Sequence, residues 1–253
     1  MQFIDSHAHI YLPEFDNDRS AVIDKALGEG VETILLPAID SSTHTNMLET
    51  AQKYPCCKSM MGLHPCSVNQ DYKKELDNVQ QYLESQEFIA VGEIGLDFYW
   101  DKTYTEEQYA AFRQQVTLSL KYKLPIAIHS RNSIDECISV VSEFPGARGV
   151  FHCFSGNLQQ AWQIMELGFM MGIGGVATFK NGGLDKVIPE IGLSNIILET
   201  DAPYLAPVPY RGKRNESSYI PLIAERLSTL LKVSIDEVAE ITSANCKKLF
   251  ALS

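Results

Sequence analysis

The chain has 253 residues, 45% of them hydrophobic, and a formal net charge of −11. That length fits two small domains or one α/β barrel of about 250 residues, and an acidic chain that handled nucleic acid would have to grip it locally. No apolar run is long enough to span a bilayer, and six cysteines without paired C-x-x-C spacing or a secretory leader read as reduced thiols of a cytoplasmic protein.

In chain order, apolar β-rich runs alternate with helix-like stretches. The strand candidates are FIDSHAHI (3–10), VETILLPAI (31–39), KSMMGLHP (58–65), FIAVGEIGLD (88–97), LPIAIHSR (124–131), GVFHCFSG (149–156), GFMMGIGG (168–175) and NIILETDAP (195–203). Between them, Thr105 with Gln108, Ser133 with Glu136, and Ser234 with Glu237 match capping boxes. Tyr109, Phe112, Val116 and Leu120 recur at helical spacing and predict a buried face. No linker or composition break divides residues 1–253, which read as one unit. Eight β-then-α repeats predict a single (β/α)8 TIM barrel, an α/β fold with its active site at the C-terminal ends of the strands. The competing open doubly wound sheet lacks its usual G-x-G-x-x-G turn, and the GIGG at 172–175 reads as a tight turn.

The polar residues gather where such a barrel puts its chemistry. In the first segment alternation places Asp5, His7 and His9 on one side. His64 closes the third segment, Glu93 lies late in the fourth, His129 closes the fifth, His152 lies in the sixth and Asp201 closes the eighth. Only His44 among the six histidines falls elsewhere. Imidazoles with carboxylates suit zinc, manganese and similar divalent ions, and the absence of clustered thiolates argues against a structural cysteine site. So many donors exceed one tetrahedral ion and suit two, about 4 Å apart, with Glu93 bridging and Asp201 accepting a proton from the attacking water. Gly92 and Gly95 are small residues where backbone would pass close to the ions, and the site of His7 and His9 is expected at the rim of the barrel and not in its packed interior.

FIDSHAHI, GLHP, VGEIGLD, IHSR, FHCFSG, LETDAPYL and PYRGKRNE follow one another in the order and spacing of the TatD-type metal-dependent deoxyribonucleases, which this chain resembles from residue 2 to about residue 249. The resemblance implies a (β/α)8 barrel, divalent metal and hydrolysis of DNA phosphodiester bonds, often from the 3′ end; with the donor count, the expected cofactors are two divalent ions (Mg, Mn or Zn). It implies His7, His9, Glu93, His129, His152 and Asp201 as metal ligands; the bridging and proton-accepting roles read from the donors make Asp201 and Glu93 the catalytic residues among them. The RGKRNE segment is commonly followed by proline in such proteins. Here Ser217 stands in its place, and serine is itself a good helix cap.

Outside the ligands, Arg131 and the RGKR run, with Arg211, Lys213 and Arg214, are the candidate phosphate clamps. His64 is placed to contact the scissile phosphate or to support the ligands, and Glu199, one layer below Asp201, to support the ligands. Tyr99, Trp100 and Tyr104 are candidates for base stacking. The expected substrate is single-stranded DNA ends, cut by a monomer with no membrane partner. The same scaffold also fits a hydrolase of carboxylic esters or amides, such as a D-aminoacyl-tRNA deacylase, and in its decayed form a metal-free binding protein.

Overall fold

All eight apolar segments form strands, most of which stop where the polar tail of the segment begins. The computed structural model describes residues 1–252. Strands β1 (Phe3–Asp5), β2 (Val31–Leu36), β3 (Cys57–Ser59), β4 (Val91–Asp97), β5 (Ile126–Arg131), β6 (Gly149–Phe151), β7 (Met170–Ile173) and β8 (Ile196–Leu198) are all parallel to their neighbours. Helices follow them: α1 (Arg19–Gly28), α2 (Ser41–Lys53), α3 (Tyr72–Ser85), α4 (Thr105–Tyr122), α5 (Ile134–Ser142), α6 (Leu158–Glu166), α7 (Leu184–Ile191), α8 (Ile220–Leu231) and α9 (Ile235–Phe250). This is the α/β barrel arrangement that the repeats predict.

The hydrogen-bonded ladder runs as a three-stranded sheet, β1-β2-β3, and a five-stranded sheet, β4 to β8. Single parallel bridges, Met61 with Val91 and Ala8 with Ala202, mark the two seams. Ser6 N–H also reaches the Leu198 carbonyl at 3.0 Å, so the seam between β8 and β1 carries backbone bonds without a full ladder. Packing is more continuous than pairing. Ile4, Leu35, Met60, Ala90, Ala127, Val150 and Ile197, one from each of seven strand segments, form one buried cluster with Met170 from the eighth against it. Cys246, Leu249 and Phe250 at the end of α9 join the same cluster. Small residues at Ala90 and Ala127 leave room for the larger ones, as barrel interiors require.

The predicted caps hold only in part. Ser234 Oγ accepts from Glu237 N–H at 3.1 Å and starts α9. Ser133 Oγ instead donates to the Leu96 carbonyl, and Gln108 Oε1 accepts from Asp97 N–H, so both side chains tie helices to β4. In α4, Phe112 and Val116 are buried as predicted, whereas Leu120 is exposed and Gln115 is buried, bonding the Leu63 backbone. Ser217 does not cap α8. It opens a short 3₁₀ turn, and Tyr219 precedes the helix.

Candidate metal centre

At the C-terminal ends of the strands, polar side chains turn inward over the apolar plug. Glu93 ends up buried at the middle of the site with five histidines around its carboxylate. His7 Nε2 lies 3.1 Å and His9 Nε2 3.5 Å from Oε2. His129 Nδ1 lies 2.7 Å, His152 Nε2 3.0 Å and His64 Nε2 3.4 Å from Oε1. Asp201 Oδ1 approaches His9 Nε2 at 3.7 Å and His7 Nε2 at 3.9 Å. The donor atoms form three close groups: His7, His9 and Asp201; His7, Glu93 and His152; and His64, Glu93 and His129. The His7 and His152 rings stack with centroids 3.7 Å apart.

Hydrogen bonds fix which nitrogen faces inward. Tyr11 Oη donates to the Pro37 carbonyl at 2.6 Å and so accepts from His9 Nδ1–H at 2.9 Å, which leaves the lone pair of His9 on Nε2, toward Glu93 and Asp201. Cys66 N–H donates to His64 Nδ1 at 3.0 Å, so the remaining proton of a neutral His64 sits on Nε2. His64 therefore presents a donor to the cavity, while His9 presents a ligand. His129 is held by Asp97 Oδ2 at 2.8 Å from Nε2, a carboxylate–histidine pairing that orients a ligand from behind. Glu199 Oε1 lies 3.4 Å from His152 Nδ1 and accepts Cys153 N–H.

The charges respond to this crowding. Burial would raise the Glu93 carboxyl, but His152, His64 and His7 outweigh it and hold the group well below the usual carboxylate range. Burial drives His7 well below the ordinary imidazole value. It opposes His152 too, yet Glu93 and Glu199 together raise that ring well above it. Burial pushes Asp201 up to about 6 despite His152 and His9 nearby. Buried carboxylates and imidazoles packed this closely have the donor chemistry of a divalent cation site.

A cavity of about 800 Å³ opens over the centre, bordered by His9, His64, Glu93, Asp97, His129, Arg131, His152 and Asp201 among others. The family model for TatD-related DNases matches residues 4–251. The chain belongs to that family. It is 35% identical over 253 residues to a metal-dependent hydrolase, YabD, of Bacillus subtilis, covering 98% of this chain and 99% of that one. It is 31% identical to the 3′-5′ ssDNA/RNA exonuclease TatD of Salmonella typhimurium, with 94% of each chain covered. The crystal structure of the TatD homologue YjjV from Escherichia coli superposes with a TM-score of 0.94 at 32% identity, covering 99% and 98% of the two chains. This TatD-family chain is thus a metal-dependent hydrolase by kinship, with donor groups suited to the metal.

Several sequence expectations need correction. His7 and His9 are buried and belong to the packed floor, not the rim. Asp5 shares no ligand role with them: it accepts from Thr200 N–H at 2.9 Å, Thr200 Oγ1 at 2.6 Å and His7 N–H at 3.3 Å, and burial pushes its carboxyl up to about 7. The strand ends at Asp5, so alternation no longer governs the residues after it. Gly92 and Gly95 are small because of β5, not the metal: a Cβ on Gly92 would strike Ala127, and one on Gly95, at φ +140°, the His129 carbonyl. Gly172, in the GIGG run, lies inside β7 and leaves space for the Glu199 carboxylate.

The cations of the TatD-family loop after β8 also separate. Arg214 makes a bidentate pair with Asp18 at 2.8 and 2.7 Å and reaches Glu216 at 3.2 Å, so it is a structural clamp. Arg211 lies 3.5 Å over the Phe179 ring and Lys213 5.9 Å from the Tyr210 ring, both outside the cavity wall. Arg131 does border the cavity. Tyr104 is half-buried against the core and is no stacking platform. Asp97 and Tyr11 were legible only as letters in GEIGLD and HIY; their pairings with His129 and His9 arise across the site and after the strand end.

Proposed function

We propose that the chain, acting as one barrel, is a two-metal phosphodiesterase that removes nucleotides from the 3′ ends of single-stranded DNA. The division of the histidines between the two oxygens of Glu93 carries this reading. His7, His9 and Asp201 on the Oε2 side would hold one ion, and His129 with His152 on the Oε1 side the other, with Glu93 shared. Mixed nitrogen and oxygen donors favour Zn or Mn over Mg, which prefers oxygen. Such ions, when bound, polarise a phosphoryl oxygen and make water a stronger acid. The chain's own groups supply the rest. Asp201 at the cavity floor accepts the proton of the attacking water, and the His64 Nε2–H donates to a phosphoryl oxygen. Arg131, Arg211 and Lys213 hold the backbone on either side. The kinship with a 3′-5′ exonuclease supports the polarity.

The test offers labelled single-stranded DNA and a simple carboxylic ester to purified protein with and without EDTA. DNA shortened from its 3′ end, with loss of activity in EDTA, is the expected result. Ester hydrolysis with intact DNA would instead assign the site to carboxyl chemistry.

A further inference from the structure

At the cavity mouth stand Trp100 and Arg131, with the Tyr99 ring packed against both, and the floor does not explain them. Trp100 is 67% exposed, more than any other large hydrophobic side chain among the described residues, and Tyr99 is 52% exposed. Their rings meet edge to face, 4.9 Å between centroids. The Arg131 guanidinium carbon lies 4.0 Å from the Tyr99 centroid and 5.2 Å from that of Trp100. Asp97, its register partner across the ladder, is turned to His129, and Arg131 forms no ion pair among the described residues. The group is also built. Asp97 Oδ1 accepts both Tyr99 N–H at 2.9 Å and Trp100 N–H at 3.0 Å, which fixes the turn that carries the rings. A single exposed aromatic needs no explanation, but an ordered pair with an unpaired cation at a cavity mouth does.

We propose that Tyr99, Trp100 and Arg131 form a subsite for one unpaired nucleotide, its base on the Trp100 face and its phosphate on the Arg131 guanidinium. A guanidinium stacked on a ring keeps its in-plane N–H donors free, and these match a phosphate. Trp100 offers the flat apolar face that any base can use. Bases inside a duplex are already stacked and offer no such face, so this shelf selects unpaired strands. Asp97 is its positioning residue: one oxygen holds the shelf, the other His129, so substrate shelf and metal floor keep one spacing. The subsite rests on the phosphodiesterase reading and supplies its strand specificity.

The chain has two tryptophans, so Trp162→Phe on the outer helix α6 leaves Trp100 as the only tryptophan fluorophore. Metal-loaded protein of this kind is titrated with an oligothymidylate whose phosphorothioate linkages resist cleavage, and with a blunt duplex of equal length. The single strand is expected to quench Trp100 and the duplex to leave it unchanged. Followed by anisotropy of a labelled strand, Trp100→Ala should weaken binding about 5- to 150-fold, the range of one base stack, and Trp100→Phe should recover most of it. Arg131→Gln should reduce the salt slope by about 0.7, the value of one phosphate on a single strand. Equal quenching by both strands, or Trp100→Ala binding like wild type while DNA is still cleaved, overturns the subsite and leaves the phosphodiesterase reading standing. Quenching by single strands in a protein that cleaves no DNA overturns that reading instead and keeps the subsite.

Discussion

The floor and the rim of the cavity are built by opposite rules. On the floor, five histidines lie within 3.5 Å of the Glu93 carboxylate, and neighbours such as Tyr11, Cys66 and Asp97 control the outer nitrogens of the rings. On the rim the charges are dispersed, and each cation has its own neighbour: Arg214 with Asp18, Arg211 on Phe179, Arg131 on Tyr99. Burial magnifies electrostatics on the floor, whereas solvent weakens them at the rim. Residue type therefore selects the metal-binding groups on the floor, where partners set which nitrogen each ring presents, whereas on the rim the partner decides whether a cation is available at all.

The sharpest way to break this contrast is at its centre. Glu93→Gln keeps the volume and removes the shared charge, so under the two-metal proposal metal content should fall from about two ions per chain to fewer than one, with activity lost. Elemental analysis of the folded variant decides it, and an unchanged metal content would refute the shared-ligand role. Next in size is Asp201→Asn, which retains one coordinating oxygen but no base. Even at saturating manganese it should stay at least ~100-fold slower on single-stranded DNA. Recovery to near wild-type turnover would make Asp201 a ligand alone. Asp97→Asn probes the second layer of the floor, and calorimetric titration should show metal affinity weakened about 10- to 100-fold. A wild-type affinity there would mean that His129 needs no support from behind.

The rim should answer more quietly, and unequally. Arg211→Ser with Lys213→Ser should lower the salt slope of single-strand binding by about 0.7 for each phosphate that the loop no longer grips. Arg214→Ser should leave that slope alone and lower the thermal midpoint, because its guanidinium is occupied by Asp18 and Glu216. If Arg214→Ser flattened the slope as well, the division among the three cations would be wrong. The smallest effect belongs to Ser217→Pro. Glu216 before it is already extended at φ −143° and ψ 147°, and Ser217 opens its 3₁₀ turn, where a missing N–H is tolerated. Stability should rise by about 0.4–1 kcal/mol, read from the denaturant midpoint. A fall would show that the buried serine contributes packing or polar interactions that proline cannot replace.

Residue types along the chain were enough to read the eight strands, their order and the identity of the six groups around Glu93. Apolar runs of β-branched residues and the polar residues that end them are local signals, and a barrel collects every strand end at one face whatever the details of pairing. Partnerships were a different matter. Alternation places a side chain only while the ladder lasts, and β1 stops at Asp5, so Asp5 became a clamp for Thr200 while His7 and His9 turned to Glu93. Asp97 met His129 because two adjacent strands brought them together, and Gly172 is small because Glu199, from the segment after β8, fills the space beside it. Arg211, Lys213 and Arg214 look equivalent in RGKR, but which of them stays available depends on Asp18 and Phe179, far away in the chain. Donor identity is written residue by residue. Partnership is a property of distances between elements, and only the packed barrel sets those.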